Sequence, residues 1–383
     1  MKPKIDWLSK ESHVLLNPAL PREPHEEILN SLLPGHLWFT TSGTTRLGKR
    51  WVGLSKEAVL ASARAVNHHL QAQKNDRWLL ALPSFHIGGM GIWARAFLSG
   101  SEVIEFNGEW SAKKFVDMAA LTGATLSSLV PTQVFDLVQA EIQAPKSLRA
   151  IVVGGGALNP QLYQQARALG WPLLPSFGMT ECASQIATAA LSSLQEYEFA
   201  QPKMLILNHA QCRVSESGIL QLRSEALLSV YAEWKNQSWV LQDPKQDGWF
   251  QSEDRVELSG PFLKPCGRVT DQIKILGELV DLAKLHDKLS SLLTEDAGIE
   301  ATLIAREDSR SGMALDLVVA CRFGTTIHGR RDDINLALEL KRSFDKAVLP
   351  FERSQNIYWL RQIPKTELGK VSRAQLLSHL GLV

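Results

Sequence analysis

Between Leu37 and Phe177, short apolar runs alternate with stretches of helical periodicity, and this alternation leaves few folds open. The runs are residues 37–41, 77–83, 101–106, 126–130, 149–153 and 173–177. Between them, residues 56–72 set Val59, Ala63, Val66 and Leu70 on one helical face, with Ser55 as the N-cap. Ser111 opens a helix that Gly123 stops, residues 132–141 read as a helix, and Asn159-Pro160 opens another that Gly170 closes. Parallel strands need a crossover of helix length, so this order predicts an α/β fold, a parallel sheet with helices packed on it.

The rest of the chain has other textures. Residues 1–35 form a polar, Pro-rich lead-in with one helix near 26–33. Residues 204–224, 238–242 and 249–264 read as short strands with tight turns, a β-rich subdomain closing the large unit. Past Gly267, strands are expected at 271–276, 301–306, 314–322 and 355–362, and helices at 281–293, 333–348 and 372–381. That is a small α+β domain. The expected division is a large amino-terminal domain, 1–266, and a small carboxy-terminal one, 267–383. A length of 383 residues agrees with two or three domains at ~150 residues each.

Composition excludes several classes. With 45% hydrophobic and 21% charged residues, the chain is neither disordered, collagen-like nor coiled-coil. Forty-one Lys and Arg against 40 Asp and Glu leave no basic excess for nucleic acid. Cys182, Cys212, Cys266 and Cys321 have neither metal-ligand spacing nor the density of a disulfide scaffold, so a reducing compartment is expected. Residues 1–13 lack the apolar core of a secretory leader, and no apolar run has the length of a spanning helix. The expectation is a cytoplasmic protein without a membrane span.

Four segments carry chemistry. Thr40-Thr41-Ser42-Gly43-Thr44-Thr45-Arg46-Leu47-Gly48-Lys49 follows a strand with hydroxyls, glycines and one ammonium. Glycines let backbone N–H groups approach an anion, hydroxyls add donors, and the Lys adds charge, which is phosphate-binding chemistry. The alternative is a polar βα turn. Gly43 to Lys49 also fits G-x-x-x-x-G-K, but Arg50 stands where that motif puts a magnesium-binding Ser or Thr, so a Walker-type NTPase is the minor alternative.

Phe177-Gly178-Met179-Thr180-Glu181 ends a predicted parallel strand, where α/β sheets bind ligands. Its aromatic ring suits a base, its hydroxyl a phosphate, and its carboxylate Mg²⁺. Ser252-Glu253-Asp254 and Gly267-Arg268, with Lys274 and Gly277, offer a carboxylate and a guanidinium for a ribose. Pro364-Lys365-Thr366-Glu367-Leu368-Gly369-Lys370-Val371-Ser372-Arg373 places Lys370 in a Gly-containing turn before the last helix. Taken singly, each is also read as packing, a turn or a solvated charge.

Taken together, in order and spanning residues 40 to 373, they resemble the adenylate-forming superfamily of acyl-CoA synthetases, luciferases and peptide-synthetase adenylation domains. Thr41 to Lys49 resembles T-S-G-T-T-G-x-P-K, Phe177 to Glu181 resembles Y-G-x-T-E, and Pro364 to Arg373 matches P-K-T-x-x-G-K-x-x-R. Residues 82–95, 128–133 and 154–158 are similar to bacterial o-succinylbenzoate–CoA ligases, enzymes of menaquinone synthesis.

The resemblance implies an acid–thiol ligase that uses ATP, Mg²⁺ and CoA, forms an acyl-adenylate and releases AMP and pyrophosphate. It implies that Thr41, Ser42, Gly43, Thr44, Thr45 and Lys49 cradle phosphates, and that His86 sits by the acyl pocket. Gly154, Gly155, Gly156 and Ala157 would line the adenine side, where Phe177 and Gly178 meet the base. Thr180 would hold the α-phosphate, Glu181 the metal, and Asp254 and Arg268 the ribose. Lys370 would bridge the attacking carboxylate and the phosphate, on a mobile carboxy-terminal domain that turns about Thr270–Asp271.

The chain departs from the pattern at Arg46 and Gly48, at Phe177 in place of Tyr, at Glu253 in place of Gly and at Thr270 in place of the hinge Asp. The resemblance also implies an abbreviated amino-terminal subdomain and leaves room for a homodimer. A ligase for another carboxylic acid and a non-catalytic nucleotide-binding protein are the competing readings.

Overall fold

The computed structural model describes residues 5–18, 23–40, 50–106, 108–196, 199–276, 278–293, 298–308, 311–321, 331–366, 369 and 371–382. The expected phosphate loop, 41–49, with Gly277 and Lys370, lies outside the described residues. The chain divides into two compact units, Met1–Ser252 with Glu257–Pro265, and Glu253–Val256 with Cys266–Val383.

The first unit begins with β1 (His13–Leu15), a 3₁₀ turn at Pro24–Ile28, α1 (Leu29–Leu32), β2 (His36–Thr40) and β3 (Arg50–Ser55). An alternating stretch follows: α2 (Lys56–Leu70), β4 (Arg77–Leu80), α3 (Ile87–Ser99), β5 (Glu102–Glu105), α4 (Ala112–Thr122), β6 (Leu126–Leu129), α5 (Pro131–Gln139), β7 (Ala150–Val153), α6 (Pro160–Ala168) and β8 (Leu173–Met179). Short strands complete it: β9 (Ser184–Ala189), β10 (Met204–Ile206), β11 (Ala210–Val214), β12 (Ile219–Ser224), β13 (Val230–Lys235) and β14 (Ser238–Gln242), with β15 (Phe250–Ser259) and β16 (Phe262–Arg268), whose residues 253–256 and 266–268 belong to the second unit.

The central sheet runs β5-β4-β6-β7-β8 with all neighbours parallel. It continues antiparallel through β9 and β10. Successive strand residues point to opposite faces, and here both faces are covered. Trp78, Leu80, Leu126, Val152 and Leu174 pack with Val66 and Leu70 of α2 and Ile92 of α3. Leu79, Leu129, Ile151, Val153 and Leu173 pack with Phe115 of α4, Leu137 of α5 and Tyr163 of α6. Each such aliphatic side chain contributes roughly 1.5–3 kcal/mol by leaving water. Asn159 Oδ1 accepts from Gln161 N at 2.7 Å, whereas Ser111, at the N-cap of α4, makes no side-chain capping bond. Gly123 and Gly170 close their helices at φ 64° and 84°.

The reading of residues 37–72 as strand, turn, helix is corrected. β2 and β3 form an antiparallel hairpin, with Trp38 opposite Gly53, and residues 41–49 connect two strands rather than a strand and a helix. Both belong to a separate sheet of order β1-β2-β3-β13-β14. A Cβ at Gly53 would lie 2.7 Å from the Trp38 ring, so the glycine makes room for the cross-strand indole. The lead-in is also more structured than expected. β1 pairs parallel with β2, and the buried Lys56 ammonium donates to Asp6 O at 2.6 Å and Ser9 O at 3.1 Å. Helix α3 and strands β9 and β13 went unread.

The second unit contains β17 (Gln272–Ile275), β18 (Glu278–Asp281), α7 (Leu282–Leu292), β19 (Ile299–Asp308), β20 (Gly312–Cys321), α8 (Arg331–Ala347), β21 (Ser354–Leu360) and α9 (Arg373–His379). β20 pairs antiparallel with β19 and parallel with β21. Leu285 and Leu289 of α7, with Ala337 and Phe344 of α8, pack on Leu303, Leu315 and Leu317 of the sheet. Among the described residues no helix is long and apolar enough to cross a membrane.

Candidate active site

Because β4 leads to β5 on one side and the chain then returns to place β6 on the other, the topological switch point lies between β4 and β6. Ligands of open α/β sheets bind outside the carboxyl ends of the strands at such a point. β4 runs out into Pro83–His86, with His86 at the N-cap of α3 and its ring 4.7 Å from that of Phe85. Gln133 Nε2 donates to Ala81 O at 3.2 Å across the β4–β6 boundary. β7 runs out into Gly154-Gly155-Gly156-Ala157, of which 155–157 are exposed. A Cβ at Gly154 would lie 2.8 Å from Ser176 Oγ and would force that hydroxyl to move, and Gly155 sits at φ 80°.

β8 carries Phe177, half-buried, and Gly178, exposed. A 3₁₀ turn, Thr180–Cys182, then reverses the chain into β9. The reversal is tight: Ala183 has φ 49° and Ser184 φ 113°, left-handed values for residues with side chains. A Cβ at Gly178 would lie 1.8 Å from Ser184 O, so only glycine lets β9 approach. Glu181 is fixed at both ends. Its carbonyl accepts from Leu228 N at 2.8 Å, and its Oε1 accepts from the Tyr231 hydroxyl at 3.0 Å. Cys182 is buried beside it, and burial pushes its thiol up to about 12, so it is no thiolate nucleophile.

Helix α3 contributes a side chain that sequence reasoning did not single out. Arg95 is 1% exposed. Its Nη2 donates to Ser184 Oγ at 3.2 Å, and its guanidinium carbon lies 5.4 Å from the Trp78 ring centroid. Among the described residues Nε and Nη1 meet no hydrogen-bond partner. Burial pushes the group down to about 10, which leaves it cationic at neutral pH. The available signal was one Arg in an otherwise apolar helix.

In the second unit, Arg268 Nε donates to Asp254 Oδ1 at 3.0 Å. Asp271 Oδ2 accepts from Arg268 N at 3.0 Å and holds the strand end that presents the guanidinium. The structure therefore brings together Asp254 and Arg268 in one unit, and the strand-end residues His86, Gly154 to Ala157, Phe177, Thr180 and Glu181 in the other. Thr41, Ser42, Gly43, Thr44, Thr45, Lys49 and Lys370 lie outside the described residues.

A family model described as AMP-binding enzyme matches residues 36–228, just over half of the chain. The chain belongs to the AMP-binding enzyme family. The matched span contains both strand-end segments and Arg95. Among relatives of this AMP-binding enzyme is the 2-succinylbenzoate–CoA ligase of Bacillus licheniformis, 31% identical over 263 residues, 66% of this chain and 53% of that one. The ligase of the same name from Staphylococcus epidermidis strain RP62A is 28% identical over 352 residues, 88% of this chain and 69% of that one. The chain thus spans between half and about two thirds of their length. In fold, it is similar to the o-succinylbenzoate CoA synthetase of Bacillus subtilis in complex with its acyl-adenylate intermediate, with a TM-score of 0.71 and 24% identity over 89% of this chain and 68% of that one.

Among the described residues no group of three or more His, Cys, Asp or Glu could hold an ion. Glu181 is a single hard carboxylate. Mg²⁺ is commonly held by one or two carboxylates together with phosphates and water, and a lone carboxylate such as Glu181 fits that kind of binding.

Proposed function

We propose that this AMP-binding enzyme activates o-succinylbenzoate with ATP and transfers the acyl group to coenzyme A. A carboxylate oxygen attacks the α-phosphorus, the new bond gives the acyl-adenylate, and the bond to the β-phosphate breaks to release pyrophosphate. The thiol of CoA then attacks the acyl carbon and expels AMP. The first step brings two anions together. When bound, Mg²⁺ supplies charge neutralisation on the phosphates. Glu181 holds the ion, Thr180 orients the α-phosphate, Phe177 and Gly154 to Ala157 receive the adenine, and Asp254 with Arg268 receives the ribose. Thr41 to Thr45 and Lys49 hold the terminal phosphates, and Lys370 neutralises the encounter between acid and phosphate. These roles rest on the motif resemblance and on relatives that carry the ligase name.

The observation that carries the choice of acid is Arg95. o-Succinylbenzoate has two carboxylates, and one remains anionic while the other reacts. A buried guanidinium with two nitrogens unmatched by the described residues suits an acid with a second negative group, because burying an unpaired charge is costly. The hydrogen bond to Ser184 puts this cation one side chain from the turn that bears Thr180 and Glu181.

The test is an incubation with ATP, Mg²⁺, CoA and either o-succinylbenzoate or benzoate, with products identified by mass. The expected products are AMP and the succinylbenzoyl thioester, with little turnover of the monoacid. ADP as the nucleotide product would overturn the reaction class. AMP formed equally well from benzoate would overturn the substrate.

A further inference from the structure

We propose that Tyr231 is the positioning residue for the Glu181 carboxylate, and that it ties this carboxylate to the strand leaving the 41–49 connection. The inference rests on the reading of Glu181 as the metal-holding group. Tyr231 lies on β13, which runs antiparallel to β3, with Tyr231 opposite Val52 and Glu233 opposite Arg50. Its hydroxyl donates to Glu181 Oε1 at 3.0 Å. The backbone of Glu181 is held from the same stretch of chain, by Leu228 N two residues before β13 begins. Carboxylate and carbonyl are thus gripped from one neighbour.

The phenol itself is held in place. The Arg50 guanidinium carbon lies 4.7 Å from the Tyr231 ring centroid, within cation–π reach. Arg50 is fixed in turn by a 2.7 Å bond from its Nε to Glu233 Oε1. The Phe250 ring meets the Tyr231 ring edge-on at 6.5 Å. Arg50 begins β3, where the 41–49 connection ends. A fixed O–H at one oxygen sets its plane before the ion arrives, and such outer partners commonly tune metal affinity.

The test uses the full chain and reads metal binding rather than turnover. The Mg²⁺ concentration that gives half-maximal ATP binding is measured by calorimetry in the absence of acid, for the parent, Tyr231→Phe, Glu181→Gln and the double variant. AMP binding without metal and the melting temperature are measured alongside. Tyr231→Phe keeps both ring contacts and loses only the hydroxyl. The expected result is a midpoint about tenfold higher, with AMP affinity unchanged. In the Glu181→Gln background the same change should add nothing. A midpoint moved by Glu181→Gln but not by Tyr231→Phe overturns the positioning role alone. A midpoint moved by neither overturns the metal reading of Glu181. Equal midpoints with a lowered melting temperature in Tyr231→Phe would make Tyr231 a packing residue and also overturn the inference.

Discussion

Arg95, a fully buried cation, donates to Ser184, a residue held at φ 113° in the reversal that follows Glu181. A buried charge without a counter-ion is costly to hold out of water, and an apolar side chain of similar length removes that cost. Arg95→Met should therefore keep or raise the melting temperature. The same change should raise the KM for o-succinylbenzoate by at least about thirtyfold, because the acid's second carboxylate would lose its partner. ATP binding should not change. A KM that stays the same in a folded variant would remove Arg95 from acid recognition.

Gly178→Ala should damage the same reversal from the other side. The added methyl would lie 1.8 Å from a backbone oxygen, which cannot rotate away. Strand β9 must then separate from β8, at a cost of about 1–3 kcal/mol or more. The expected outcome is a lower melting temperature together with weaker AMP binding, read by scanning calorimetry and titration. Unchanged values for both would show that the two strands are looser in solution.

Lys370→Ala should lose adenylation far more than nucleotide binding. A cation used only as charge develops is worth about 10²–10³ in rate. Pyrophosphate exchange should fall by that order, while ATP affinity measured by calorimetry stays within about twofold. Exchange at the parent rate would overturn the role.

Histidine burial makes acid stability predictable. His209, in the turn between β10 and β11, is pushed down to about 4 by burial. The unfolded chain titrates near 6.5, so below that pH it binds a proton that the folded chain does not. Stability should be fully present above about pH 6.5 and fall as pH drops toward 4, by up to about 3 kcal/mol from this group. Burial also lowers His13 and His36, which adds in the same direction. His209→Gln should flatten the melting temperature against pH in that window, and an unaltered slope would assign the effect to other groups.

The parallel core was legible because each of its strands is a short apolar run bounded by a helix signal, and the end of β8 carries Gly178 where two backbones crowd. β3 was hidden. Gly53 interrupts the run and reads as a breaker, but its reason is the Trp38 ring across the hairpin, a contact between strands. Helix α3 was hidden by Gly88, Gly89 and Gly91, poor helix formers. A Cβ at Gly89 would lie 2.3 Å from Pro83 O, so the helix start packs on the preceding loop. Tyr231 carries no local signal, because its partner Glu181 is 50 residues away. Hydrogen bonds of that span exist only once the sheets are assembled.

One neighbour of Arg95 sets how the acid preference can be retuned. A Cβ at Gly91 would lie 3.2 Å from Arg95 Nη2, so the guanidinium occupies the space that a side chain at 91 would need. The two positions trade volume against each other. A library aimed at monoacids should therefore vary them jointly, with a shortened residue at 95 making room for bulk at 91, since a search one site at a time would discard each half of the exchange.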